Sequence, residues 1–257
     1  MDGKCLRGAK RPDGSQIYVI SAVRHHDRLT AAVREIAAKS NEIPAFAPLL
    51  AGIDDGHLRG AVVTVDALHA QRDHAAYLVE QCHAHYLVTV KGNQPNLPEQ
   101  LRALPWGQVP VVHHSHDVGH GREEHRELQA VTVHDLLFPH ARQVLRITRR
   151  RRALAARRWT TETVYAITDL AWEQATAREL AEWARGHWTI ENSVHWVRDV
   201  TFAEGAHQLR TGHAPAVLAG LRDIVRGALH KTGWANIAAG RRAHLDPVSV
   251  LALHGIP

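Results

Sequence analysis

The sequence predicts an α/β fold carrying a mostly β insertion ahead of a long late helix, and three observations predict it. Two short β-branched runs, Ala61 to Val65 and Tyr86 to Val90, enclose a helix-like stretch from Arg72 to Gln81, which together read as a βαβ unit. From about Trp106 to Asp169 the texture changes to β-prone pieces. From Ala177 to about Val200, Trp183, Ile190, Val194 and Val197 fall on one apolar stripe at about 100° per residue, the period of a helix.

Taken in order, Ile17 to Val23 and Leu29 to Ile36 read as strands, although the Ala and Arg content of the second also suits a helix. The run Ser40-Asn-Glu-Ile-Pro44 offers polar caps, an early acid and a proline tolerated in a first turn, so a helix is expected to about Leu50. In the βαβ unit, Asp66 and Lys91 follow directly on apolar strands, where polar side chains commonly enter a functional crevice. The β-rich stretch contains Val109 to Val112, Glu127 to Val133, Gln143 to Thr148 and Thr161 to Thr168, with Arg149 to Arg152, Arg157 and Arg158 as a basic hairpin or loop. Such a loop would lie along a nucleic-acid backbone or simply be a solvated turn. On the late helix, His187, Glu191 and Arg198 are expected beside the apolar stripe, and a further helix spans Pro215 to Lys231. The closing Arg- and Ala-rich stretch shows no task.

With 257 residues, 45% of them hydrophobic, the chain can bury a large core as one domain or two smaller ones. A formal charge of +5 from 31 Lys and Arg suits a polyanionic partner without requiring one, and a GC-rich genome would produce the same Arg and Ala bias. Two cysteines, Cys5 and Cys82, exclude a disulfide framework or four-cysteine zinc site and point to a reducing cytoplasm. No apolar run is long enough for a membrane span.

Two-metal phosphoryl transfer requires several carboxylates converging on one point, to compensate paired divalent cations while leaving room for phosphate and water. Asp2, Asp66 and Glu191 would supply them from a first strand, a strand end and a helix, although 26 acids allow many such choices. A rival zinc reading uses His187, Glu191 and His195, spaced four apart, and the cluster His113, His114, His116 and His120 raises the same question. With 21 histidines, chance clusters on a solvated β edge are expected. No nucleophile elbow or glycine-rich phosphate loop is present.

An ordered series of stretches resembles the H-repeat-associated insertion-sequence transposases, within the broad IS-four group of Asp-Asp-Glu transposases. These stretches are Asp2-Gly-Lys-Cys-Leu-Arg-Gly8, Lys39-Ser-Asn-Glu-Ile43, Val63-Thr-Val-Asp-Ala67, Val90-Lys-Gly-Asn-Gln-Pro95, His120-Gly-Arg122, Thr160-Thr-Glu-Thr163 and Gly186-His-Trp-Thr-Ile-Glu-Asn192 running into His195-Trp-Val-Arg-Asp-Val-Thr-Phe202. The resemblance implies one ribonuclease-H-like catalytic domain over 1–257: a mixed sheet flanked by helices, with the β-rich insertion at about 106–169 before the last catalytic helix. It further implies metal-dependent cleavage and strand transfer at insertion-sequence ends, with Asp2, Asp66 and Glu191 binding two Mg²⁺ ions that Mn²⁺ can replace. Double-stranded DNA, as transposon ends and target, is the implied partner. A homodimer would serve synapsis.

The wider group carries Tyr and Arg before the third acid and Lys after it, places held here by Ala184, His187 and Arg198. Lys91, Asn93, Arg122, His187 and Arg198 are accordingly candidates for touching DNA. Family members usually carry a sizeable segment before the Asp-Gly-Lys motif, where this sequence has Met1 alone. That departure predicts a frayed Asp2 and an alternative reading, a truncated and catalytically inactive remnant that only binds DNA, or a start codon lying upstream.

Overall fold

The computed structural model describes residues 1–11, 13–36, 42–92, 96–209 and 211–256. The strands are β1 (Asp2–Lys10), β2 (Gln16–Val23), β3 (Thr30–Ile36), β4 (Val62–Val65), β5 (His85–Val90), β6 (Val111–Gly119), β7 (Arg122–Thr132), β8 (Gln143–Ala153) and β9 (Thr160–Thr168). The helices are α1 (Phe46–Leu50), α2 (Asp55–Leu58), α3 (Arg72–Ala76), α4 (Leu97–Ala103), α5 (Ala177–Gly186), α6 (Ala214–Lys231), α7 (Ile237–Ala243) and α8 (Pro247–Leu253). Two units emerge, one of Met1–Ile53 with Gly186–Pro257 and one of Asp54–Arg185.

In the first unit β1, β2 and β3 form an antiparallel sheet in that order. Its middle strand buries both faces, with Ile17, Val19, Ile20 and Ala22 all withdrawn from solvent, which is why its apolar residues run nearly unbroken instead of alternating. Leu6, Ala9, Ile17 and Val19 pack around Ala219 of α6. Val197, Leu229 and Ile237 make a second cluster with Trp234 and Leu253. Asp2 is not frayed: it stands in register opposite Ser21, and Met1 is buried.

The glycines of the opening motif are close-approach residues. A Cβ on Gly8 would lie 2.5 Å from the backbone oxygen of Gly205, and one on Gly3 would meet the Glu42 carboxylate. Gly186 has the same character, because a Cβ there would lie 2.4 Å from Nδ1 of His25.

In the second unit β4 and β5 run parallel, as the βαβ reading requires, and the sheet continues β5-β9-β8-β7-β6 with antiparallel pairs. Leu87, Leu128, Leu145, Ala166, Leu170, Ala175 and Leu180 form its core. Apolar burial gathers at one end of the meander, where β8 is buried from Gln143 to Leu145 and β9 from Ala166 to Thr168; the far ends are largely exposed, apart from Glu124 of β7. Among the described residues no helix is long and apolar enough to cross a membrane.

Three local expectations are refined. Of the hairpin and loop readings of the basic run, the hairpin holds for Arg149 to Arg152, which are strand residues of β8 in register with Arg126, His125, Glu124 and Glu123 and pair onward with β9. β6 runs through Gly119, well beyond Val112, because none of its side chains is buried and an exposed ladder, with Val118 following His114 and His116, carries no hydrophobic period to read. The continuous helix from Ala177 to Val200 is interrupted at His187 and Trp188, and resumes as wide i→i+5 turns over Glu191–His195 and Val197–Thr201. Trp183 therefore packs with the second unit's core, whereas Val194 and Val197 belong to the first unit. The expected helix start at Lys39, Ser40 and Asn41 lies outside the described residues.

Gly8→Ala is expected to lower stability by about 1–3 kcal/mol, because a new methyl meets backbone that cannot swing aside. Gly220→Ala, in mid-α6 with open space around it, is expected to raise stability by about 0.5–1 kcal/mol. Urea unfolding of the two variants beside the parent checks both signs.

Candidate active site

The three acids occupy different local settings. Asp2 begins β1, where its Oδ1 accepts the Gly3 N–H at 2.9 Å and its Oδ2 lies 3.5 Å from Nδ1 of His195. His195 is buried, and its pKa is pushed down to about 3, first by burial and then by the nearby Lys4 and Arg198 charges. The ring is thus neutral across the ordinary pH range and contributes no cation to Asp2. Lys4 is engaged elsewhere, with Nζ 2.7 Å from Oδ1 of Asp199.

Asp66 stands at the C-terminal end of β4. Its Oδ1 accepts the N–H groups of Leu68 at 3.0 Å and His69 at 3.3 Å, capping the short turn Ala67–His69 and leaving Oδ2 outside the cap. Lys91 follows β5, the parallel neighbour of β4, and is exposed, so both residues stand just past the ends of adjacent parallel strands. Glu191 is exposed on the first wide turn, and among the described residues nothing hydrogen-bonds or ion-pairs with its carboxylate. Asp2 and Glu191 lie in the first unit and Asp66 in the second. Hard carboxylate oxygens of this kind suit Mg²⁺ or Mn²⁺.

The other candidates divide. Arg122 is half exposed at the tip of the β6–β7 hairpin, where His120 and Gly121 adopt φ of 50° and 72°. His187 lies in the turn after α5, edge-on to Trp188. Asn93 lies outside the described residues. Arg198 is a correction: it is fully buried, so it does not offer its charge to a phosphate. Its Nε reaches both Glu204 oxygens at 3.1 Å, its Nη2 lies 2.9 Å from Glu204 Oε1, and its Nη1 is 3.8 Å from Asp223 Oδ2. The cause is geometric, since i→i+5 turns rotate later side chains away from the 100° phase and carry Arg198 inward while Glu191 stays outside.

The zinc reading of His187, Glu191 and His195 also fails, because His195 is buried, Glu191 is exposed, and among the described residues these three do not come within metal-ligand distance of one another. The group that does converge joins His116, of the predicted His cluster, to Glu123 and His125 on the neighbouring strand. Sequence reasoning missed it because the partners depend on strand register, which only the ladder reveals. The buried partners of Arg198, Glu204 and Asp223, were likewise without a sequence signal.

Comparison with known proteins places these residues in context. The profile of the family described as "Transposase DDE domain" matches residues 1–222. "Putative transposase YncI" of Escherichia coli O157:H7 is 29% identical over 244 residues, covering 89% of this chain and 60% of that protein. "H repeat-associated putative transposase YhhI" of Escherichia coli K12 is 29% identical over 236 residues, covering 87% and 61%. The chain therefore spans about 60% of the length of these curated relatives. A solved structure titled as a piggyBac transposase synaptic complex with hairpin DNA matches with a TM-score of 0.44 and 11% identity, over 100% of this chain and 56% of that one.

Arg198→Ala is expected to lower the urea midpoint, by the equivalent of about 2–4 kcal/mol, because buried Glu204 loses its shortest partner and keeps only Arg222 at 3.4 Å, and Asp223 keeps only Arg226 at 3.4 Å. Arg198→Met combined with Glu204→Met is expected to recover much of that loss. A phosphate-contact role would instead leave the midpoint unchanged.

Proposed function

The chain belongs to the transposase DDE-domain family, and on that premise we propose that it carries out metal-dependent DNA cleavage and strand transfer through Asp2, Asp66 and Glu191. The observation that carries this reading is that all three acids lie within the matched stretch 1–222, each on the motif from which the resemblance was drawn. When bound, two Mg²⁺ ions supply Lewis-acid activation of a water or 3′ hydroxyl and stabilisation of the leaving oxygen. The chain's own part is to hold three carboxylates still. Asp2 is fixed by its register opposite Ser21, Asp66 by its cap, and Glu191 by a helical turn whose inner side is buried. Neutral His195 packs beside Asp2 without competing for its charge.

The ribonuclease-H-like fold and the β-rich insertion at 106–169 belong to the same proposal, supported by the mixed sheet and parallel β4–β5 pair of the second unit, and a single catalytic domain over 1–257 is proposed on the matched stretch alone. Double-stranded DNA is the proposed partner. Lys91 at a strand end and Arg122 at a hairpin tip are its proposed contacts, joined by Arg150, which lies over the ring of Trp159.

Plasmid nicking in Mg²⁺ or Mn²⁺ tests the reading, with Asp66→Asn and Glu191→Gln beside the parent. The parent is expected to nick, and each variant to lose at least about 100-fold, the scale seen when a group stabilising transition-state charge is removed. Folded parent protein that retains DNA but never nicks would overturn the catalytic reading in favour of a DNA-binding remnant.

A further inference from the structure

On the exposed end of the β meander, His116 and His125 face each other directly across the β6–β7 ladder, and Glu123 lies two residues before His125 on the same face. Both Nε2 atoms lie 3.2 Å from one oxygen, Oε1 of Glu123, and the rings stack 4.2 Å apart at 8°, so each ring must turn about its Cβ–Cγ bond to bring its in-plane lone pair onto one ion. The three ligand atoms all fall within 4.8 Å of one another. In a tetrahedral zinc site with bonds of about 2.0–2.1 Å, neighbouring ligand atoms are separated by roughly 3.3 Å. The two nitrogen-to-oxygen separations already match that edge.

The surroundings hold the three groups in place. Arg152 occupies the other carboxylate oxygen, with Nε 2.8 Å from Oε2, so Oε1 is oriented by a neighbour of the kind that fixes metal-ligating carboxylates. Trp159 packs 5.2 Å from the His125 ring and is itself covered by Arg150 and Arg152. His125 also borders a cavity of about 160 Å³ lined by His114, Glu127, Thr148, Arg150 and Trp159, and His116 is exposed, so solvent reaches the cluster to complete a fourth position.

We propose that His116, Glu123 and His125 form a binding site for a zinc-class divalent transition metal. It shares no residue with the three acids assigned to magnesium, and its two imidazole nitrogens select against magnesium, which prefers oxygen ligands. The metal takes the Nε2 lone pair of each ring in its Nδ1–H tautomer, and any proton held on Nε2 beforehand passes to solvent. Bound there, it pins β6 to β7 close to the basic hairpin tip.

Zinc titration of the metal-free full chain against a micromolar-affinity indicator, in excess Mg²⁺ to keep the carboxylates occupied, tests the site. One equivalent of zinc is expected to leave the indicator, and the His116→Ala, His125→Ala chain is expected to lose it. A control chain with His26→Ala and His57→Ala, both well exposed, is expected to keep it. Glu123→Gln, which preserves side-chain shape, is expected to weaken zinc by at least about 10-fold, since even outer partners of a metal ligand are worth that much. On the unaltered chain, zinc is expected to protect His116 and His125 from diethyl pyrocarbonate ahead of the other histidines. A parent that takes no zinc, a Glu123→Gln chain that binds as the parent does, or protection spread evenly over the histidines would overturn the proposal.

Discussion

Burying four charged side chains in one place constrains the first unit more than any other feature. Arg198 and Arg226 are wholly withdrawn from solvent, with Glu204 and Asp223 nearly so. Removing such charges from water costs several kcal/mol each unless they are paired with good geometry. The pairing here ties separate stretches together: Arg198 from the wide turns, Glu204 from the short turn Glu204–Ala206, and Asp223 and Arg226 from α6. Arg226 then donates to the Arg28 carbonyl and to Oγ1 of Thr30, which anchors α6 to the entry of β3. Burial pushes the Asp223 carboxyl upward, and the two guanidiniums beside it oppose that rise. The helical segment bearing Glu191 is held in phase by this network, so the position of an exposed acid depends on charges that never meet solvent.

Much of the fold was legible where burial gives the chain a period. β2, β4, β5 and α6 were each read within a few residues, because apolar side chains mark their buried faces. Legibility failed where that mark was missing or misleading. β6 and the outer half of β8 bury no side chain, so their strand character is carried by the ladder hydrogen bonds. α7 and α8 were missed although each begins at a cap, with Asn236 accepting from Ala239 and Asp246 from Ser249 ahead of Pro247. The wide turns after Trp188 carry no local signal, and they undid the helical-wheel placement of Arg198.

The candidate site was legible chiefly through resemblance. Spacing alone left Asp2, Asp66 and Glu191 as one choice among many acids, and the ordered motifs singled them out. Structure adds physical reasons for the rest of those motifs. Gly3, Gly8 and Gly186 are close-approach positions, and the His195 that follows Glu191 packs against Asp2. Arg198, by contrast, shows how a motif position that invites a phosphate-binding reading serves instead to neutralise a buried acid.

The metal centre proposed for Asp2, Asp66 and Glu191 is tested most directly by metal-directed cleavage of the chain. Iron(II) loaded in place of magnesium and activated with ascorbate generates radicals that attack whatever lies beside the bound ion. The account predicts oxidative damage, mapped by mass spectrometry, beside all three acids together, suppressed by excess magnesium and absent in Asp66→Asn. Damage beside only one or two of them, or damage that magnesium does not suppress, would contradict it.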